Sequence, residues 1–164
     1  MHKELFLILH NIRSAHNVGA LFRTADGVGV TKIFLTGYTP APAGKNSLFP
    51  TAAQKMIAKT ALGAEEQIAW EHKKSVSDVI DQLKADGVQV VALEQTKKSV
   101  DYRSFIPQFP SAMIVGNEPK GLDQRTIQKC DAAIEIPMRG SKESLNVSVA
   151  AGVALYELMK KLDR

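Results

Sequence analysis

The sequence contains one cysteine, Cys130, in 164 residues. That excludes an intrachain disulfide framework and a cysteine metal site, and it fits a reducing compartment. No apolar run approaches the roughly 18 residues of a membrane-spanning helix. The start, MHKELFLILHNIR, has five consecutive apolar residues, too few for a signal-peptide core. Phosphate-cradling signatures are missing as well: neither G-x-G-x-x-G nor G-x-x-x-x-G-K-[ST] occurs. Nor is there a Ser-His-Asp order, an H-E-x-x-H or a paired-carboxylate spacing. A site in such a chain would position reactants rather than form a covalent intermediate.

What remains is ordinary for a globular protein: 45% hydrophobic and 23% charged residues, in a length that suits one domain, 1–164. The net charge is +4, and its distribution says more than the total. Residues 1–60 hold seven Lys/Arg against Glu4 and Asp26, whereas the remainder is close to neutral. An excess of one sign in one region either forms a patch for polyanions or is simply a solvated face.

Apolar runs at 5–9, 32–36, 89–93, 112–115 and 132–136 read as strands. Most are continuous rather than alternating, as in a sheet covered on both faces. Helical spacing and start signals predict helices over 17–28, 77–85, 123–129 and 146–162. The alternation predicts an α/β fold with a mainly parallel sheet flanked by helices. Residues 37–64, with three prolines and three glycines and no clear strand, read as a functional or flexible connection.

Open parallel sheets bind ligands at the carboxyl ends of their strands. Three strands here run into polar sequence, at 10–23, 116–122 and 136–146, and these stretches hold Asn17, Arg23, Glu118, Ser144 and Asn146. Each residue has a plain structural alternative. Asn17 could cap its helix, and Ser144 or Asn146 the last one. Arg23 could be solvated, Glu118 a turn acid, and Gly116 and Gly121 could serve a tight turn. Their joint occurrence at strand ends is what those alternatives explain poorly. His10 and His16 read as loop histidines, Cys130 as a buried inert thiol, and Trp70 and Tyr38 as core or rim residues that could also stack on bases.

Three ordered stretches, NIRSAHNVGALFRTADGVGV, MIVGNEPKGL and IEIPMRGSKESLNVSVAAGVALYE, with KTALGAE between the first two, resemble the SpoU/TrmH group of SPOUT RNA methyltransferases. The resemblance implies an α/β-knot fold with a deep carboxyl-terminal trefoil knot, a device nearly absent from other proteins. It implies S-adenosylmethionine as cofactor, bound by Leu93, Glu94, Gly116, Asn117, Gly121, Ile136, Met138, Ser144 and Leu145. The reaction implied is methyl transfer to a ribose 2′-hydroxyl of structured RNA, with tRNA favoured over rRNA. Arg23 becomes the central catalytic residue, supported by Asn17, Glu118, Ser144 and Asn146. RNA contacts fall to Arg13, Arg23, Lys45, Lys55 and Lys59, with Gly19 allowing close approach at the helix start. A cytoplasmic homodimer with its active site near the subunit interface is implied, a stand-alone domain with no separate RNA-binding domain, no metal and no membrane partner. Two rival readings stand beside it: an RNA-binding homologue that has lost catalysis, and a base-methylating SPOUT enzyme.

Overall fold

A computed structural model describes residues 3–162. The apolar runs form the centre of a seven-stranded sheet. In chain order its strands are β1 (Leu5–His10), β2 (Lys32–Thr36), β3 (Ala69–Lys73), β4 (Gln89–Leu93), β5 (Val100–Asp101), β6 (Ser111–Val115) and β7 (Ala132–Glu135). In space the order is β3-β2-β1-β6-β4-β7-β5, with every pairing parallel. The helices are α1 (Ala15–Val28), α2 (Ala52–Ala61), α3 (Ala64–Gln67), α4 (Val76–Ala85), α5 (Gln124–Lys129) and α6 (Val147–Leu162).

Side-chain alternation explains the continuous runs. Along β1, Leu5, Leu7 and Leu9 join the core under α1, α2 and α6, while Ile8 joins the opposite core under α4. Both faces are covered, so both sets of alternating positions are apolar. The chain moves outward from β1 to β3 and then returns to build β4, β6 and β7 on the other side of β1. Neighbouring loops therefore diverge at the carboxyl ends of β1 and β6, where such sheets hold ligands.

Several expected boundaries shift. The first helix starts at Ala15, capped by Ser14, whose side chain accepts from the Asn17 amide at 3.1 Å. Asn17 is therefore inside the helix and is not its cap. Within 37–64 lies a whole helix, α2, closed by a Thr51–Gln54 capping box. Gly19 serves that helix. A Cβ on Gly19 would sit 1.9 Å from Thr60 Oγ1 and 2.4 Å from the Ile57 carbonyl oxygen. The close approach at this glycine is therefore of α2 to α1, not of a ligand.

Candidate active site

The carboxyl ends of β4, β6 and β7 open onto a cleft of about 300 Å³. All nine residues expected around the cofactor line it: Leu93, Glu94, Gly116, Asn117, Gly121, Ile136, Met138, Ser144 and Leu145. They come from three separated stretches of sequence, and the strand order alone brings those stretches together.

Local chemistry fixes the wall formed by 116–122. A Cβ on Gly116 would meet Leu122 Cδ2 at 2.7 Å and the Gly121 carbonyl carbon at 2.8 Å, so the two ends of the loop touch only because this residue lacks one. The Gly121 amide donates to the Asn117 carbonyl oxygen at 2.7 Å and closes the turn. Gly121 itself has φ +65°, and a Cβ there would lie 2.2 Å from Glu94 Oε2. That carboxylate has a structural task. It accepts from the Leu122 amide at 2.8 Å through Oε2 and from the Gln95 amide at 3.1 Å through Oε1. Opposite, the Gln95 side-chain amide donates to the Glu143 carbonyl oxygen at 2.8 Å and ties down the last loop.

The charged lining is unequal. Glu94, Glu118, Glu135 and Glu143 face the cleft, against Lys120 alone. Apolar contact is offered by Leu93, Ile136, Met138 and Leu145. Such walls suit a ligand with cationic centres and an apolar body, and they repel phosphate groups.

Three of the five expected catalytic residues meet in one polar chain at the edge of this cleft. Asn17 is 8% exposed; its Nδ2 donates to Glu118 Oε1 at 2.9 Å, and its Oδ1 accepts from Asn146 Nδ2 at 3.3 Å. Asn146 also caps α6, with Oδ1 accepting from the Ser148 amide at 2.9 Å. The chain thus links the first helix, the loop after β6 and the start of the last helix. Ser144 lies apart from it, in the cleft wall. Arg23 does not join. At 100° per residue, six positions separate it from Asn17 by about 120° around α1, so the two side chains leave the helix on different faces. Arg23 is exposed and has no side-chain hydrogen bond or ion pair among the described residues.

Sequence reasoning left Asn11 unassigned, and the structure makes it a hub. Its φ of +54° lies in the left-handed region, which asparagine tolerates. Its Oδ1 accepts from the Tyr38 amide at 3.1 Å, and its carbonyl oxygen accepts from Asn117 Nδ2 at 3.2 Å. Asn117 Nδ2 also bonds the Tyr38 hydroxyl. Next to it, His10 Nδ1 faces Thr36 Oγ1 at 2.9 Å and Nε2 faces Asn11 Nδ2 at 3.2 Å. Because Asn11 Nδ2 can only donate, Nε2 must be the bare nitrogen. Burial holds this imidazole below its ordinary 6.5, and the Asp123 carboxylate opposes that only in part. The signal available in the sequence was an asparagine at a strand-to-helix corner, where the left-handed region is often needed.

The expected RNA-contacting side chains of Arg13, Lys45, Lys55 and Lys59 are all exposed, Arg13 after β1 and the lysines on the loop before α2 and on α2. Lys32 is not part of that free charge, since it pairs with Glu71 at 2.8 Å; Lys32 and Lys73 together hold the Glu71 carboxyl down at about 2. Trp70 packs against the main core. Burial, helped by Asp131, pushes the Cys130 thiol up to about 12, so it is inert.

Fold and cleft together define a doubly wound parallel α/β protein with its ligand site at the carboxyl edge of the sheet. The chain belongs to the SpoU rRNA Methylase family, whose model matches residues 4–156. A tRNA (guanosine(18)-2'-O)-methyltransferase of Escherichia coli is 29% identical over 96% of this chain and 64% of its own. Among solved structures, a TrmH/SpoU tRNA modifying enzyme from A. aeolicus superposes with a TM-score of 0.82 at 30% identity, over 99% of this chain and 77% of its own. An AdoMet-bound rRNA methyltransferase from Sinorhizobium meliloti gives 0.84 at 29% identity, over 98% and 57%. The chain spans about three-fifths of the length of the curated relatives it matches.

Proposed function

We propose that this protein transfers a methyl group from S-adenosylmethionine to a ribose 2′-hydroxyl of RNA. The observation that carries the reading is the convergence of all three motifs: two wall one acidic cleft, and their Glu118 and Asn146 are joined to Asn17 of the first. The cleft fits the cofactor, whose sulfonium and ammonium centres match its carboxylates and whose lack of phosphate matches the absence of a phosphate cradle. When bound, S-adenosylmethionine supplies an electrophilic methyl group on a sulfonium centre. Leu93, Ile136, Met138 and Leu145 enclose its apolar body, and the 116–121 backbone offers amides and carbonyls for polar edges. Asn17, Glu118 and Asn146 fix the wall against which the ribose must align for an in-line approach.

Arg23 is our choice for the residue that engages the phosphate beside the target ribose. A guanidinium keeps its proton and is a poor base, whereas its planar fork suits bidentate phosphate binding. It acts on the partner's cleft in a homodimer. Support comes from a stripe of exposed apolar residues, Leu145 just before α6 and Val149, Val153 and Tyr156 on it, which begins at the cleft wall. A Cβ on Gly27, one turn from Arg23, would lie 3.0 Å from the Tyr156 hydroxyl, so Arg23 flanks that stripe. The knot belongs to the same proposal. β4 lies between β6 and β7, and the chain after β7 returns beside residues 93–95 before entering α6. We further propose a single domain over 1–164 acting in the cytoplasm, with tRNA as the RNA; among the described residues no helix is long and apolar enough to cross a membrane.

The test combines Arg23→Ala with nucleoside mass spectrometry and calorimetry. Wild type should yield 2′-O-methylated nucleosides, and the variant should lose transfer while binding S-adenosylmethionine as before. Wild-type transfer by the variant would remove Arg23 from the mechanism. Base-methylated nucleosides, or no cofactor binding by the wild type, would favour a rival reading.

A further inference from the structure

We propose that the loop between β2 and α2 is a stacking platform for unpaired RNA bases, with Phe49 as the base contact and Tyr38 tying the platform to the cofactor cleft. This rests on the RNA methyltransferase reading above and narrows its substrate to RNA that is single-stranded near the target. Phe49 is 90% exposed and Leu48 84%, side by side on a loop that leaves the sheet at the same edge as the cleft. Large apolar side chains held in water at a functional edge mark a binding surface.

Charge selects the occupant. No aspartate or glutamate occurs between Asp26 and Glu65, while Lys45, Lys55 and Lys59 are exposed and form no ion pair among the described residues. A second copy of this chain would bring the same lysines against each other, which is unfavourable. An acidic peptide would match the lysines but lacks the repeated flat faces that an isolated phenylalanine ring suits. Single-stranded RNA offers both phosphates and base faces. An RNA duplex offers phosphates with its bases already stacked.

The link to chemistry runs through Tyr38. The residue is 56% exposed, yet its hydroxyl bonds the side chain of Asn117 and its amide donates to Asn11. Asn117 Oδ1 in turn accepts from the Lys120 amide at 3.2 Å inside the cleft wall. Tyr38 is thus a positioning residue: it couples the loop that meets RNA to the loop that meets the cofactor.

The test uses the full chain, fluorescence anisotropy with a short oligouridylate and with an RNA duplex, and calorimetry with S-adenosylmethionine as a folding control. Wild type should prefer the oligouridylate. Phe49→Ala and Phe49→Leu should weaken it about 5- to 150-fold, the range expected of one lost stack, and Phe49→Trp should restore it. Duplex and cofactor affinity should not change. Tyr38→Phe should leave oligouridylate affinity and the RNA KM near wild type but lower kcat. Unchanged oligouridylate affinity in Phe49→Ala, or equal wild-type affinity for duplex, overturns the platform. A change in sedimentation with unchanged RNA affinity would make the loop a subunit contact and overturn it too. If wild type binds oligouridylate through Phe49 but neither binds the cofactor nor methylates RNA, the enzyme reading fails and the platform stands.

Discussion

Gly121→Ala probes the wall of the cleft most directly. The residue has φ +65°, and the added Cβ would lie 2.2 Å from Glu94 Oε2. An alanine in the left-handed region costs about 1–2 kcal/mol. Moving the Glu94 carboxylate aside also breaks its 2.8 Å bond from the Leu122 amide, and a hydrogen bond to a charged acceptor contributes about 1.5–3 kcal/mol. The two together come to about 2.5–5 kcal/mol if the loop keeps its course. The loop can avoid this only by swinging away from Glu94, which dismantles one side of the cleft. With the loop relaxed in the free protein, the cofactor must rebuild this wall in order to bind, and the cost then falls on binding. At about 1.4 kcal/mol per factor of ten, the affinity for S-adenosylmethionine should drop by at least about 50-fold. Calorimetry measures this. Gly140→Ala is the control, because its Cβ would meet nothing within 4 Å, and it should bind as wild type does. If Gly121→Ala binds the cofactor within twofold of wild type, the Glu94 clamp does not shape the site.

Away from the cleft, Gly19→Ala should destabilise the fold without touching cofactor affinity. Its Cβ would fall 2.4 Å from a backbone oxygen of α2, and overpacking of this kind costs about 1–3 kcal/mol, visible as a lower midpoint in thermal unfolding; a midpoint at or above wild type contradicts the α1–α2 contact. His10 should make stability depend on pH. Because its folded pKa lies below 6.5, the unfolded chain binds the proton more readily, so stability is full above about 6.5 and falls as pH drops toward the folded value. His10→Gln cannot titrate and should flatten that slope in denaturant titrations across pH; an unchanged slope would assign it to other groups.

The central strands were readable because burial on both faces leaves no polar position to interrupt them. The edge strands were not. β3 is AWEHK, mostly solvent-facing, and its Glu71 is spent on a cross-strand pair with Lys32. β5 is two residues long. Neither carries a period distinct from a loop. α2 escaped for a different reason: it packs on α1 through Gly19, so its buried face needs only Ile57 and Ala61. The Thr51–Gln54 capping box is a start signal, but the residues after it carry too narrow an apolar face to mark a helix by period.

The candidate site divides along the same line between local and long-range information. The family resemblance implied nine residues, and they line one cleft because parallel strands bring their carboxyl ends together whatever the spacing in sequence. The helical period of α1 led less far. A six-residue step separates Asn17 and Arg23 by about 120°, so one helix presents two faces. The Asn17 face is buried against Glu118 and Asn146 of its own chain. The Arg23 face borders Gly27 and, through it, the Tyr156 end of the exposed α6 stripe. In the proposed reading one chain therefore supplies the cofactor cleft and an arginine aimed elsewhere. In the proposed homodimer that mismatch is resolved, since the stripe also reaches Leu145 at the cleft wall: covering it with a second copy carries the partner's α1 toward the cleft. Periodicity identifies the faces of a helix; the exposed stripe is what supports the proposal that one of them serves another subunit's reaction.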